Sequence, residues 1–433
     1  MAIPNTFKVT TQDAYNYAAS KMFADQQLCM IIKLSGMLDE NLLAKAVRLT
    51  LDLEPVLGCR FVENGGSPFW ERRGELDKMN FCSVAETELP EQAISAFVNE
   101  AIHADVDPIV ALRVFREKTD TVCIKMNHSA CDAGGLKQYV WLLSDVYSML
   151  ATCGRTFIQP NLGRRDQSQI FERTKDPKTL AMKDFPTPTW AFPQKAGIQR
   201  LHAFSTISKD QFKIIKQYAT DKKATVNDLL LTALYRTFFA INNITENKPM
   251  ILQVSIDLRR YLPDHKAEAI CNLSGAIYIA LERKNGENFE GTLARIMAFM
   301  EKLNANYPGL ESAAGLEYLF SQGFAGMEKY LVQSSEMGKK YNVTFPLLSN
   351  FGVLYDYHFR ELQMTGGFIS SPIMYQPGFM LGASTFNDEM TLSVGFCGEE
   401  NIKQVRSFFD TFIAELPKQC QKKVEITQVT EYA

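Results

Sequence analysis

Between residues 121 and 127, apolar Val122, Ile124 and Met126 alternate with Cys123, Lys125 and Asn127, the period of a half-buried strand. Directly after it the period changes. Leu136, Tyr139, Val140, Leu143, Val146, Tyr147 and Leu150 recur at helical spacing, which predicts a helix with one buried face. The stretch where the period switches, 126–135, reads Met-Asn-His-Ser-Ala-Cys-Asp-Ala-Gly-Gly. It places His128 at a strand-to-helix turn, which can aim a side chain into a cavity.

The same patterning organises the rest of the chain. It predicts a helix over 12–23, an apolar strand over 28–34, and a helix over 39–49 that Asp39 can cap. Segments 57–62 and 68–72 flank Glu63-Asn64-Gly65-Gly66-Ser67 as a hairpin, and Pro90 opens a helix toward His103. A second hairpin, 109–116 with 121–126, leads into His128. From about 152 to 199 periodicity is lost among Pro160, Pro177, Pro186, Pro188 and Pro193, as in a linker or an extended crossover.

Regular structure resumes with a strand over 201–207 and helices over 208–218 and 226–239, the second started by Asn227 and Asp228. Strands follow over 250–258 and 273–281, then helices near 289–303 and 317–332, then strands near 344–354 and 368–375. A last hairpin, 379–386 with 390–396, runs into a helix over 401–416. Both halves thus finish with a hairpin feeding a long amphipathic helix, 109–150 and 379–416, which hints at an ancient duplication. The second copy has Cys397-Gly398 where the first has Asn127-His128. The expected organisation is mixed α/β, layered as in α+β proteins. An N-terminal lobe spans 1–155, a crossover 156–198 and a C-terminal lobe 199–433.

Composition narrows the function. A chain of 433 residues, 46% hydrophobic and 22% charged, can bury more than one core. Its net charge of -3 and the lack of a dense basic run with interleaved aromatics argue against nucleic acid as a partner. The start, Met1-Ala2-Ile3-Pro4-Asn5-Thr6, has no signal-peptide pattern, and no apolar run reaches membrane-spanning length, so a cytoplasmic protein is expected. Nine scattered cysteines without a CxxC pair suit reduced thiols, and neither a disulfide frame nor a structural metal is expected.

Candidate chemistry centres on the turn. An imidazole of pKa about 6.5 can accept a proton from a weak nucleophile near neutral pH and return it to a leaving group. Asp132, just ahead of a helix, is also a good N-cap. Cys131 is predicted to lie under the helix rather than to act as a nucleophile, and Trp141, Phe238 and Phe239 fall on apolar helix faces that belong to cores. No GxSxG elbow, Walker A loop, GxGxxG turn or HExxH helix is present.

His128-x-x-x-Asp132 at such a turn resembles the HxxxD motif of the chloramphenicol acetyltransferase-like superfamily, which includes condensation domains, plant BAHD acyltransferases and stand-alone alcohol acyltransferases. Val254-Ser255-Ile256-Asp257-Leu258-Arg259-Arg260 is similar to the DLR strand of those proteins, and Asn272 matches an asparagine that follows it. Ser349-Asn350-Phe351-Gly352, and Gly36-x-Leu38 with 49–61, resemble further signatures in the same order. Asn127 stands where condensation domains usually carry a second histidine, and Ala133 takes the glycine position of HxxxDG, with Gly134 one step later.

The resemblance implies two acetyltransferase-like lobes in a V-shaped arrangement around a central tunnel. It implies His128 as general base, and an ion pair from Asp132 to Arg259, with Arg260 as the alternative. Gly134 and Asn127 would help shape the site, and Ser349, Asn350 and Ser384 are candidate oxyanion or substrate contacts. No bound cofactor is implied. An acyl-CoA or an acyl-carrier phosphopantetheine thioester would be co-substrate and an alcohol or amine the acceptor, in a chain that can work as a monomer. Alternatives are a silent relative that binds a carrier protein or acyl ligand, and a stand-alone nonribosomal peptide condensation enzyme.

Overall fold

The computed structural model describes residues 2–154, 159–175, 187–188, 190–242, 249–304 and 306–418. Its first half runs β1 (Thr6–Lys8), α1 (Thr11–Ser20), β2 (Gln27–Leu34), α2 (Glu40–Leu53), β3 (Cys59–Val62), β4 (Phe69–Arg72), β5 (Cys82–Glu86), α3 (Pro90–Asn99), β6 (Val110–Arg116), β7 (Asp120–Asn127) and α4 (Ala133–Cys153). The crossover holds one helical turn, α5 (Ser168–Phe171). The second half runs β8 (Arg200–Ile207), α6 (Lys209–Asp221), α7 (Val226–Ile241), β9 (Pro249–Asp257), β10 (Ser274–Glu282), α8 (Phe289–Asn304), α9 (Leu310–Ser321) and α10 (Phe324–Tyr341). It ends with β11 (Leu347–Val353), β12 (Met364–Ser370), β13 (Met380–Phe386), β14 (Glu389–Cys397) and α11 (Ile402–Glu415).

Side-chain caps explain several starts. The Thr10 hydroxyl and the Asp13 carboxylate close a capping box on α1, and Asp39 accepts from Leu42 N at 2.8 Å to open α2. Helix α7 starts at Val226 as expected, but its capping box is formed by Thr225 and Asp228, without Asn227. The helix predicted over 317–332 is two helices: Gly323, at φ 87°, takes a backbone conformation open to glycine and ends one before the other begins. Short β1 and β5, which lack a sustained alternation, went unpredicted.

Strands β12-β2-β7-β6-β5 form one sheet and β10-β9-β11-β13-β14-β8 a second, with β1-β4-β3 as a small third. The seven residues predicted to line one face of α4 are all buried, and α4 packs with α2 over the first sheet. Burying a side chain of that size contributes ~1.5–3 kcal/mol, so this face fixes the helix that begins at the His128 turn. The second sheet has its own core, built on α7, α8 and α11. Strand β12 crosses the expected division at 199: it leaves the C-terminal half and pairs antiparallel with β2, Ile369 opposite Met30, while Leu354, Tyr357 and Phe359 join the first core. Both β6-β7-α4 and β13-β14-α11 are antiparallel hairpins followed by a helix, the repeat read in the sequence.

All eight described cysteines are free thiols; Cys420 lies outside the described residues. Among the described residues no group of His, Cys, Asp and Glu could hold a metal, and no helix is long and apolar enough to cross a membrane. Much of the predicted crossover, 155–158, 176–186 and 189, lies outside the described residues.

Candidate active site

The turn after β7 is held by its own side chains. Asn127 is buried; its Oδ1 accepts from Ser129 N at 2.9 Å and its Nδ2 donates to Ile102 O at 2.8 Å. It shapes the turn and leaves the imidazole to others. His128 N donates to Gln26 O at 2.7 Å, and Asn16 Nδ2 donates to His128 O at 3.2 Å, so the backbone beneath the ring is fixed from two sides.

The ring itself is half-buried, and its Nδ1 lies 3.1 Å from Asn272 Oδ1. Asn272 Nδ2 is committed to donating to His128 O at 3.0 Å and Ser129 O at 3.1 Å. The atom facing the ring is therefore an acceptor, which requires the proton on Nδ1 and leaves the Nε2 lone pair available. Burial lowers the His128 pKa from its ordinary value, opposed mainly by the Asp132 charge. Burial thus favours the neutral form of the ring.

Asp132 is hydrogen-bonded through both carboxylate oxygens. Its Oδ1 accepts from Gly135 N at 2.8 Å, capping α4, while Oδ2 accepts from Arg259 Nη1 at 2.9 Å and from Leu273 N at 2.7 Å. Burial pushes its pKa up, but Arg259 and these donors outweigh burial and hold it below the usual value. Arg259 stands on a 3-10 turn, Leu258–Tyr261, rather than on a strand, because β9 ends at Asp257, whose side chain accepts from Arg259 N at 2.9 Å. Its Nη2 also donates to Cys271 O at 2.8 Å, whereas Arg260 is exposed.

The glycine positions follow from this approach. A Cβ at Gly134 would lie 2.5 Å from Arg259 Nη1, and one at Gly135 would lie 2.8 Å from Cys271 O. Ala133, the departure from HxxxDG, opens the helix half-buried with its methyl group in place. The close contacts fall on the two glycines after it.

The remaining candidates separate. Ser349 is buried and its hydroxyl accepts from Ser255 at 2.7 Å, which leaves its own proton free to donate. Asn350 is exposed at a bulge where Oδ1 accepts from Gly352 N at 3.0 Å, and the buried Ser384 hydroxyl accepts from Ile369 N at 3.1 Å, tying β13 to β12. None of the three is hydrogen-bonded to His128. Cys131 is fully buried and burial pushes its thiol well above the usual range, against a nucleophilic role. Trp141 is 58% exposed, edge-on to Tyr355, so it is no core residue, unlike Phe238 and Phe239.

Sequence reasoning missed a second buried ion pair beside the ring. Asp13 on α1 accepts from Arg165 Nη1 at 2.7 Å, Trp70 Nε1 at 2.9 Å and Asn272 Nδ2 at 3.4 Å, and Arg165 Nη2 donates to Ala130 O at 2.8 Å. The signal was present as an acid on the inner face of an amphipathic helix, three residues after a threonine. Two surface recesses are defined, of about 330 and 510 Å³, and neither borders His128.

No protein-family model matches the chain, and no curated protein sequence matches it. Solved structures do. Polyketide synthase associated protein 5 from Mycobacterium tuberculosis is 15% identical, with a TM-score of 0.65, over 95% of this chain and 99% of that one. The fold is the chloramphenicol acetyltransferase-like one. The trichothecene 15-O-acetyltransferase TRI3 from Fusarium sporotrichioides is 14% identical with a TM-score of 0.68 over 95% of each chain. The starter condensation domain of rhizomide synthetase, solved with C8-CoA, is 12% identical with a TM-score of 0.63 over 95% of each chain. At such identities the likeness is one of fold, and condensation domains and acetyltransferases share it.

Proposed function

We propose that this chain is an acyltransferase that moves an acyl group from a thioester, acyl-CoA or an acyl-carrier arm, to an alcohol or amine, with His128 as general base. One observation carries the reading: Asn272 holds Nδ1 as a donor, and Nε2 of a half-buried, neutral imidazole keeps no protein partner among the described residues. Nε2 takes the proton of the acceptor O–H or N–H as the oxygen or nitrogen attacks the thioester carbonyl. The tetrahedral oxyanion then collapses, the C–S bond breaks, and the imidazolium returns its proton to the thiolate. Ser349 is the candidate oxyanion donor with a free proton. Asn350 and Ser384 are the weaker candidates, since each is held by local structure. Both substrates bind together, without an acyl-enzyme, because the nearby Cys131 is buried with a raised pKa.

Neighbouring folds support this reading: TRI3 is named an acetyltransferase, and the rhizomide synthetase domain was solved with C8-CoA. A monomer would suffice, since one chain supplies Asp132, Arg259, His128 and Asn272. A second reading, a silent relative that binds a carrier protein or acyl ligand, rests on Ala133 in the glycine position of HxxxDG. Thiol release over a panel of acyl-CoAs and carrier-loaded thioesters with alcohol and amine acceptors separates them. The transferase reading expects release that falls at least ~100-fold in His128→Ala with the fold intact. No release with any donor, or release indifferent to that substitution, overturns it.

A further inference from the structure

The larger recess, about 510 Å³, opens between β1, the start of α1, the crossover at 163–172 and α9. That volume falls in the range of small-molecule sites. Its apolar wall includes the half-buried rings of Phe7, Phe171 and Phe320. Its charged wall carries Glu317 and Asp166.

The charge balance decides what could bind. Arg165 in the back wall is neutralised by Asp13, and Glu172 at the rim by Arg164. Lys8 is exposed to solvent. Asp166 has no cation partner among the described residues; it accepts from Ser168 N and the Ser168 hydroxyl. Glu317 takes one hydrogen bond, Thr11 Oγ1 donating to Oε2 at 2.8 Å, and Oε1 has no partner among the described residues. Burial and the nearby Asp166 push the Glu317 pKa up, against the Thr11 hydrogen bond and Lys8, so a cation placed beside Glu317 would favour its charged form. The α1 N-terminus would otherwise suit an anion, but the Thr10 hydroxyl and the Asp13 carboxylate already occupy it. A phosphate-bearing ligand would meet the Glu317 and Asp166 carboxylates here, with the exposed Lys8 as the one lining cation that has no ion pair among the described residues.

The structure assigns this recess as a binding site for a small amphipathic amine, its ammonium held between Glu317 and Asp166 and its apolar body against Phe7, Phe171 and Phe320. Arg165 connects the site to the catalytic turn, since the same guanidinium donates to Asp13 and to Ala130 O, and Asp13 accepts from Asn272. Occupancy is thus coupled through packed, hydrogen-bonded groups to the residue that orients His128.

The test titrates the full chain with 2-phenylethylammonium, 2-phenylethanol and 3-phenylpropionate and reads binding by calorimetry or saturation-transfer NMR. No thioester is present, so the result stands whether or not the acyltransferase reading does. The ammonium is expected to bind at least ~10-fold more tightly than the alcohol, and the carboxylate not at all. Glu317→Gln, which keeps an oxygen for Thr11, should lose ~10-fold affinity for the ammonium and little for the alcohol, and Phe320→Ala should weaken both. Equal binding of the three probes, or unchanged ammonium affinity in Glu317→Gln and Asp166→Asn, overturns the assignment. With a bound amine, adding acetyl-CoA distinguishes its source: recovery as the acetamide marks an acceptor, recovery unchanged an effector.

Discussion

Replacing Asp132 by asparagine tests the joint between the lobes with an isosteric side chain. Three donors converge on this carboxylate, Gly135 N on Oδ1 and both Arg259 Nη1 and Leu273 N on Oδ2. An asparagine offers one acceptor oxygen, so its NH₂ must face either the cap or the guanidinium, donor against donor. Arg259 is 3% exposed, and its remaining carboxylate contact is Asp257, 3.2 Å away and largely in solvent. Breaking a buried pair by removing one charge costs ~3–5 kcal/mol, and asparagine should fall near the lower end because one oxygen is kept. Removing both charges, as Asp132→Asn with Arg259→Met, abolishes the stranded guanidinium, so the double variant should be less damaged than the sum of the singles by ~1–3 kcal/mol. Urea unfolding followed by circular dichroism on the four proteins completes the cycle. An unshifted midpoint in Asp132→Asn, or strict additivity in the double variant, would refute the claim that this pair fixes the turn.

Four further outcomes follow from the structure. Because burial lowers the His128 pKa, activity should stay level as pH falls to 6.5 and decline only below it; an acid limb centred above 6.5 in kcat/KM contradicts the neutral, buried base. Asn272→Ala removes the tether on Nδ1, and the loss of one net hydrogen bond, ~0.5–1.5 kcal/mol, should lower kcat up to about tenfold with KM little changed, measured by steady-state thiol release. In Gly134→Ala the new Cβ meets Arg259 Nη1 at 2.5 Å, so the variant should unfold earlier than Ala133→Gly, which meets no such clash; equal thermal midpoints would remove the close-approach account. Asp25, buried with Oδ2 unpaired, has a pKa pushed up to about 7 by burial despite the Ile373 N–H, Arg200 and Lys125. It binds a proton more readily folded than unfolded, so its contribution is present below about pH 4 and lost as pH rises through 7, at a cost of about 4 kcal/mol. Asp25→Asn should therefore stabilise the protein at pH 8 and change little at pH 4, by thermal melting.

What could be read along the chain and what could not divide by the range of the forces involved. The strand 121–127, the helix face from Leu136 to Leu150 and the N-cap role of Asp132 are local: period and capping chemistry decide them within a few residues. The partner of Asp132 depends on a segment more than a hundred positions away. The match to the DLR segment supplied Arg259, but not the 3-10 turn that carries it, because alternation in 250–257 continues into residues whose backbone must curl to let Asp257 cap Arg259 N. Asp13 and Arg165 show the limit most clearly. Each has a complete local explanation, a capping-box acid and a basic residue in an irregular crossover, and only packing reveals that they neutralise each other beside Asn272. The exposed Trp141 fails in the opposite direction. Helical spacing places it toward the edge of an apolar stripe, yet Tyr355, arriving after β11, meets it at the surface instead of in the core. An ionisable residue that satisfies a local rule is thus still open to a distant partner, and in this chain two such pairs, Asp13–Arg165 and Asp132–Arg259, hold the His128 turn from either side.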